Sequence, residues 1–577
     1  MISSGESREQ TAKLKKGLKL RDLYLAAIST IFATAWILSP YYAAASAGPA
    51  SIISWIIGGI FITLIAITWA EVGSVLPLAG GVARYSTYTH GKVAGAINGW
   101  ANLLSVIVYP ALETVALLSF IQAMIMIKFP SSGVTLISSI GTPTYLGVVV
   151  ALLVVGVLIY INYSGIGKIK GMNLVANIIK LIAMPAAIIF IIAFGLAHGF
   201  GHNIVDPSFA PYGYKPILTI IPATGIVFAY LGFRQPIDMA AEAIDAKRHV
   251  ARAILLAMAT SFAIYTLLEV AFVFGLKWNS SAFGTTGVAQ GNWLGLSSSQ
   301  PMATMPMLYV ASGLGLFVIA ILIALAGLVG PPADAGQYTA TSSRILFGMS
   351  RDGFIGKTFS KVSERYRIPY FGVIATFIVT AVLLLLGVAG YLVTSIGGAW
   401  LALTSIVSST SVFAYMVGPL SMVIFRKSNP EENKFFKVKF GNIIAPVAFI
   451  VAGLMFYWGA GTLFSSSDPY GGYLLVLAIL LGLILIFTFK RGNETWKSNI
   501  KSSDIKGSIW MIVFLVFTLV ILYLGSYQLN VLPVPYDWIT IVIGSAIIYV
   551  IALKTALPIE TIRKTVSELL ENPEGGA

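Results

Sequence analysis

Long apolar runs separated by short polar stretches repeat along nearly the whole chain. A transmembrane helix needs about 20 mostly apolar residues, and such runs occur fourteen times. We number them segments 1 to 14 in chain order; they begin near residues 22, 51, 95, 144, 172, 215, 250, 305, 369, 393, 442, 471, 508 and 536. The pattern predicts an all-α polytopic membrane protein with fourteen transmembrane helices.

Lysine and arginine are dense in every second connection and sparse in the others. With the N-terminus placed in the cytoplasm, 32 of the 37 basic residues fall in cytoplasmic connections or termini. Lys128, Lys215 and Lys277 fall outside, and Lys180 and Arg234 lie within segments. Basic residues are enriched on the cytoplasmic side of membrane proteins, and an even number of helices brings both ends to one side. The sequence therefore predicts that both termini are cytoplasmic.

Composition supports a lipid environment and narrows the possible chemistry. Charged residues make up 10% of the chain, against about 25% in soluble proteins, so a soluble fold is excluded. The net charge of +14 does not indicate a nucleic-acid partner, because the basic residues flank apolar segments. The chain has no cysteine, and its four histidines form no metal-ligand motif. We expect no metal and no cofactor, and the sequence favours neither an enzyme nor a channel.

Two segments contain small or polar residues where an interrupted helix would expose backbone groups. They are residues 29–36 in segment 1, with Thr34 about midway across, and residues 225–236 in segment 6. Irregular backbone is tolerated at that depth where it lines a cavity or binds a ligand, and transporters commonly bind substrate there. The same residues also fit two continuous, tightly packed helices, so the pattern alone leaves both arrangements open.

Several motifs in a fixed order carry a family resemblance. Those in and after segment 6 are Phe228, Tyr230, Gly232, Phe233, Ala241, Glu242, Arg248 and residues 252–254. Those elsewhere are residues 47–50, Glu71, Pro77, and residues 80–81, 99–100, 343–344 and 351–353. From residue 18 to 490 the chain resembles the amino acid–polyamine–organocation (APC) family. Its GFRQPID stretch and its Trp36-Ile37 pair are similar to a branch that includes acidic amino acid–proton symporters.

The resemblance implies a LeuT-like core of two inverted five-helix repeats formed by segments 1 to 10. It divides the chain into a cytoplasmic segment (1–21), a transport core (22–426), four peripheral helices (427–555) and a cytoplasmic tail (556–577). It also implies a secondary active transporter in the plasma membrane that imports amino acids by proton symport with alternating access. A sodium-coupled carrier or an exchanger of the same fold, and a sensor that binds an amino acid without moving it, remain alternatives.

The same resemblance places the substrate between unwound segments 1 and 6. Backbone N–H groups at the start of a half-helix attract a carboxylate, and carbonyl groups at the end of a half-helix attract an ammonium group. The residues expected to bind the substrate are Ala33, Thr34, Ala35, Trp36, Phe228, Ala229, Tyr230 and Gly232. The family usually has glycine on both sides of the central Ser or Thr, whereas Ala33 and Ala35 stand here. Alanine limits close approach to the backbone.

Lys180 is the candidate for ion coupling. A charge at mid-membrane costs about 3 kcal/mol on insertion scales, and such residues face a partner or a cavity. Lys180 lies nine residues past Gly171, although a lysine at that depth can also extend to the cytoplasmic interface. In some members of the family a lysine at this point replaces a sodium ion, which implies that Lys180 takes up and releases the proton.

Tyr109, Glu113 and Arg234 are further candidates for contact with the substrate or the proton. Arg234 follows the expected break in segment 6 and is placed to meet a side-chain carboxylate of the substrate. Asp238, four residues later, offers a helix salt bridge instead. Glu269 and Asp334 also lie within apolar segments, and the sequence assigns a role to neither.

Overall fold

The computed structural model describes residues 14–15, 17–78, 80–139, 141–163, 166–363, 368–392, 398–428, 436–464, 469–488, 500–571 and 575–576. Within these ranges the regular structure is helical, apart from two strands of two residues each. These strands, β1 (Leu14–Lys15) and β2 (Gly575–Gly576), pair in parallel. Most of the expected N-terminal segment, and residues 572–574 and 577 of the expected tail, lie outside the described residues.

All of segments 1 to 7 are helical, and segments 1, 3 and 6 are each divided into two or three helices. They are α1 (Leu20–Ile31), α2 (Ala35–Ala47), α3 (Ser51–Val75), α4 (Tyr85–His90), α5 (Lys92–Ile107), α6 (Tyr109–Lys128), α7 (Tyr145–Tyr163), α8 (Ile166–Ala197), α9 (Lys215–Ala223), α10 (Ile226–Tyr230), α11 (Gln235–Asp238) and α12 (Ala246–Gly275). Segment 1 is α1 with α2, segment 3 is α5 with α6, and segment 6 is α9 to α11. Segments 2, 4, 5 and 7 are α3, α7, α8 and α12.

The second half of the chain continues in the same way. Its helices are α13 (Gln300–Thr304), α14 (Pro306–Gly313), α15 (Phe317–Arg351), α16 (Tyr370–Val388), α17 (Ala399–Tyr415), α18 (Val417–Ser428), α19 (Gly441–Gly461), α20 (Gly471–Thr488), α21 (Ser502–Leu524), α22 (Tyr536–Thr555) and α23 (Ile559–Glu571). Segment 8 is α14 with α15, segment 9 is α16, and segment 10 is α17 with α18. Segments 11 to 14 are α19 to α22.

Ten spans in the described part of the chain are long and apolar enough to cross a bilayer. The count is eleven if the bent pair Lys215–Ala223 and Ile226–Asp238 is one span. One of the ten, Ala35–Val75, joins the second half of segment 1 to segment 2 around a turn. The predicted all-helical, polytopic fold is therefore confirmed, whereas fourteen crossings and cytoplasmic termini stay predictions.

The long membrane-spanning helix of segment 8 begins later than the apolar pattern predicts. The apolar run from about residue 305 is divided between α14 and α15, because Gly315 takes a left-handed φ of 73° that ends the helical path. The long apolar span then begins at Phe317. The expected start of segment 10 near residue 393 lies outside the described residues, and α17 begins at Ala399.

Long helices pack around the broken segments. The helices α3 and α12 pack along each other, α15 packs against α6 and α8, and α1 packs against α12. The later helices lie on this core, with α19 against α17 and α3, and α21 against α5. Asp504 of α21 accepts a hydrogen bond of 2.9 Å from the N–H of Lys92 at the start of α5. The interrupted parts of segments 1 and 6 are consequently buried at the centre.

Candidate substrate and proton site

Segment 1 is interrupted for three residues at its middle. The helix α1 ends at Ile31 and α2 begins at Ala35. The carbonyl of Thr34 accepts hydrogen bonds from the N–H groups of Ile37 and Leu38, so α2 starts directly after Thr34. The first N–H groups of a helix have no partner within it. The predicted break is thus confirmed, and the start of α2 presents N–H groups where a carboxylate was expected.

Segment 6 is also broken, at Gly225, the first residue of the expected stretch at residues 225–236. Gly225 has a left-handed φ of 85°, and the chain bends by 58° between α9 and the helices that follow. Pro236 instead lies in the first turn of α11, where proline fits without loss of a hydrogen bond. Phe228, Ala229 and Tyr230 form the short helix α10, which tightens into a 3₁₀ turn at Leu231–Arg234.

The two broken segments run antiparallel and touch at glycine. A methyl group at Gly225 would lie 2.5 Å from the hydroxyl of Ser39, and one at Gly232 would lie 2.6 Å from the hydroxyl of Thr30. Gly232, the later glycine of segment 6, therefore lies beside Thr30, which precedes Ser39 in segment 1, so the two segments run in opposite directions. Gly232 was predicted as part of the site, and close approach of the two backbones explains why glycine stands there.

Aromatic rings enclose the space beside the break in segment 1. The ring of Phe228 lies 5.2 Å from that of Tyr109 and 6.1 Å from that of Trp400, measured between centroids. Tyr109 stacks on Tyr338 at 3.6 Å. All four side chains are buried, as are those of Ala33, Thr34, Ala35, Trp36 and Tyr230. The residues around the break in segment 1 are therefore shielded from solvent.

Lys180 is buried and paired with an acid on another helix. Its Nζ lies 2.6 Å from Oδ2 of Asp334 and donates a longer bond of 3.4 Å to the carbonyl of Ser29. The side chains of Lys180 and Asp334 are 2% and 1% exposed, so Lys180 does not extend to the interface. Gly330, one turn before Asp334, leaves room for the lysine stem, since a methyl group there would lie 2.9 Å from its Cε.

Glu113 joins this ion pair to the break in segment 1. The hydroxyl of Thr34 donates to Oε1 of Glu113 at 3.3 Å, and the indole N–H of Trp400 donates to the same hydroxyl at 3.2 Å. The charges of Asp334 and Lys180 act on the Glu113 carboxyl group. Among the described residues, Oε2 of Glu113 and Oδ1 of Asp334 have no hydrogen-bond partner. One ammonium and two carboxyl groups thus share a buried cluster beside the proposed substrate position.

Arg234 forms the helix salt bridge that its spacing allows. Its Nε lies 2.8 Å from Oδ2 of Asp238, and its Nη1 lies 3.4 Å from the hydroxyl of Ser105. Arg234 is 2% exposed. Its Nη2 is buried and has no hydrogen-bond partner within the described ranges.

The sequence did not assign Asp334, Trp400 or Tyr338 to the site. Asp334 carried a signal, since an acid within an apolar segment requires a partner, but the sequence offered no means of choosing Lys180, which lies 154 residues away. Trp400 and Tyr338 carried no signal, because aromatic residues are common throughout the chain.

Comparison with known proteins gives consistent matches over most of the chain. Residues 18–484 match the sequence model of the amino acid permease family. The glutamate/serine transporter AimA of Bacillus subtilis is 29% identical over 96% of this chain and 97% of its own length. The aspartate-proton symporter of the same organism is 27% identical over 94% and 97% of the two chains. A branched-chain amino acid permease, BcaP of Bacillus subtilis, is 22% identical over 83% and 94%.

Proposed function

Because the chain belongs to the amino acid permease family, we propose that it imports amino acids by proton symport with alternating access. It is a multi-pass protein of the plasma membrane and not an enzyme, in agreement with the resemblance to the APC family. The substrate lies between the breaks of segments 1 and 6. The observation that carries the proposal is the buried cluster of Lys180, Asp334 and Glu113, which contacts segment 1 at Ser29 and Thr34.

Charge balance supports a proton as the coupling ion. A buried cluster with one ammonium and two carboxylates carries a net negative charge, which is unfavourable at low dielectric. One added proton makes the cluster neutral, and Oε2 of Glu113 and Oδ1 of Asp334 lack partners among the described residues. The Lys180 ammonium group also contacts both α1 and α15. By the family resemblance, it occupies the position at which sodium-coupled relatives bind their cation. We therefore assign the transported proton to the cluster that contains Lys180.

The substrate position follows from the two half-helices. The α-carboxylate binds the N–H groups at residues 33–36, and the α-ammonium lies towards the end of α10, at residues 228–230. Tyr109 and Phe228 pack against the substrate, and the free end of Arg234 receives an acidic side chain. Relatives named for transport of glutamate, serine and aspartate support acidic and small polar amino acids as the first substrates to test.

The larger architecture is part of the same proposal. Segments 1 to 10, over residues 22–426, form the transport core. Residues 427–555 form four peripheral helices, and both termini of the chain are cytoplasmic. Breaks in segments 1 and 6 lie five segments apart and on antiparallel chains, which is the relation expected between two inverted five-helix repeats.

Uptake by purified protein in liposomes tests this function. The assay uses labelled aspartate, glutamate, serine and leucine in sodium-free buffer, with and without an inward proton gradient. We expect the gradient to drive accumulation, and we expect Lys180→Ala to abolish it. Lys277→Ala is the matched control, because Lys277 is exposed on the expected outer side and should keep full uptake.

Other outcomes identify the alternatives. Accumulation that requires sodium would mean a sodium-coupled carrier, and flux that requires an amino acid inside the liposome would mean an exchanger. Specific binding without flux under any gradient would mean a sensor.

A further inference from the structure

A cavity of about 530 Å³ opens where the chain passes from segment 10 to segment 11, on the side expected to face the cytoplasm. Three basic side chains contribute to its lining: Arg426, Lys437 and Lys439. The helix α19 begins beside it at Gly441 and is long and apolar enough to cross the bilayer. The cavity therefore lies at the level where a membrane-spanning helix starts, and its volume is in the range of small-molecule sites.

A buried ion pair holds the lining of this cavity in place. Nε and Nη2 of Arg426 each lie 2.6 Å from a carboxylate oxygen of Glu71 in α3, and Glu71 is 1% exposed. The N–H of Val438 donates to the same carboxylate at 2.7 Å, and the Val438 carbonyl accepts from Arg426 at 2.9 Å. A methyl group at Gly441 would collide with the guanidinium group of Arg426. The backbone beside the two lysines is thus bound firmly to the core.

Lys437 and Lys439 give the cavity a positive charge that no described acid balances. Both residues are exposed, and neither forms an ion pair in the described part of the chain. The carboxylate of Glu71 already compensates the charge of Arg426. Nζ of Lys439 lies 5.3 Å from the centroid of the Phe440 ring, a cation–π contact that leaves the ammonium group at the surface. The remaining charge of the two lysines attracts an anion.

Apolar side chains lead from this cavity along the outside of α19. Phe440 and Ile443 both contribute to the cavity lining, and they are 68% and 65% exposed. Val447 is 39% exposed and lies four residues after Ile443, on the same face of the helix. A ligand with a phosphate group in the cavity can therefore place a hydrocarbon chain on these side chains, whereas a soluble anion makes no use of them.

We propose that this cavity binds the headgroup of an anionic phospholipid from the cytoplasmic leaflet. The phosphate lies between the ammonium groups of Lys437 and Lys439, and an acyl chain lies along Phe440, Ile443 and Val447. A zwitterionic headgroup fits less well, because the lysines repel its own cation. Each basic residue near the cytoplasmic surface favours anionic lipid by about fivefold. This binding site is separate from the proposed transport function and from the central cluster.

Quenching by brominated lipids measures this binding directly. The chain has no native cysteine, so Asn442→Cys, at an exposed residue of the cavity lining, carries a single fluorophore at the site. The labelled full-length protein is reconstituted in phosphatidylcholine vesicles that contain a small fraction of phosphatidylglycerol. In one sample the phosphatidylglycerol has brominated acyl chains, and in the other an equal amount of phosphatidylcholine has them.

We expect brominated phosphatidylglycerol to quench the fluorophore more than brominated phosphatidylcholine. The expected local preference is about 25-fold, from two lysines at about fivefold each. Lys437→Gln combined with Lys439→Gln should remove this preference. Lys357→Gln combined with Lys361→Gln is the matched control and should keep it, because both lysines are exposed on the expected cytoplasmic side and lie outside the cavity lining.

Equal quenching by the two lipids would overturn the proposal, and so would a preference that the double variant of Lys437 and Lys439 retains. Loss of the preference in the control double variant would show a general effect of surface charge, which also contradicts a defined site. Inorganic phosphate added at constant ionic strength should leave the preference unchanged. If it removes the preference, a soluble anion occupies the cavity and the lipid assignment is wrong. The measurement needs no transport, so it stays readable if the proposed transport function fails.

Discussion

The contact of 2.6 Å between Lys180 and Asp334 joins two charges that are both removed from solvent. Removing one partner of such a pair leaves an uncompensated buried charge, which costs about 3–5 kcal/mol. We expect Asp334→Asn to lower the melting temperature of the purified protein. The double variant Lys180→Met with Asp334→Leu should recover most of the loss, because apolar replacements of similar volume remove both charges together.

The same double variant separates folding from coupling. It should fold and bind substrate, yet it should not concentrate an amino acid in response to a proton gradient. An Asp334→Asn protein that melts like wild type would contradict the buried pair. A double variant that accumulates substrate normally would contradict its role in coupling.

Arg234 gives a prediction about substrate choice. Its Nη2 lacks a partner among the described residues, and hydrogen bonds to charged groups contribute about 1.5–3 kcal/mol. Arg234→Lys keeps the charge but removes the planar, two-donor edge. We expect the apparent affinity for aspartate to fall by about tenfold or more, while serine uptake changes little. Arg21→Lys, at an exposed arginine, is the control, and equal losses for both substrates in Arg234→Lys would refute the assignment.

The break in segment 6 depends on a single backbone conformation at Gly225. Alanine in a left-handed conformation costs about 1–2 kcal/mol, and its methyl group would also collide with Ser39 and Trp400. We expect Gly225→Ala to reduce uptake strongly. Gly199 has a similar φ of 77° but no atom within 4 Å of an added methyl group, so Gly199→Ala carries the backbone strain without the collision. Similar transport by the two variants would show that contact across the break is not needed.

At the scale of whole elements, the apolar pattern located the helices well and their interruptions less well. Helices occur at all fourteen predicted segments in the described ranges, because burial in lipid requires long apolar runs. The break in segment 1 was anticipated at Thr34. The break in segment 6 lies at Gly225, the first residue of the expected stretch at residues 225–236, whereas Pro236 does not interrupt the helix. The sequence did not predict which residue of the stretch forms the break, since the conformation of a glycine depends on what packs against it. Gly315 divided segment 8 for the same reason.

The sequence predicted only part of the candidate site. Motifs selected the backbone positions at Thr34 and Phe228, and the cost of burying a charge selected Lys180. The partners Asp334 and Trp400 come from segments 8 and 10, and pairings over such separations depend on the tertiary fold. The charge balance that points to a proton therefore needed the structure.

For the whole molecule, the buried centre fits one stage of the alternating-access cycle that we propose. The rings of Tyr109, Phe228 and Trp400 are buried, and the Trp400 indole N–H donates to the hydroxyl of Thr34. In the function that we propose, segments 1 and 6 part on one side at a time, and the cluster of Lys180, Asp334 and Glu113 links proton occupancy to segment 1.

Direct measurement of proton movement tests this account most sharply. Purified protein is placed in liposomes that contain a fluorescent pH indicator, in sodium-free buffer with equal pH on both sides and a potassium-diffusion potential, negative inside. We predict that external aspartate or serine acidifies the lumen in wild type and in Lys277→Ala, but not in Lys180→Ala. Accumulation of labelled substrate without any acidification of the lumen would contradict proton symport.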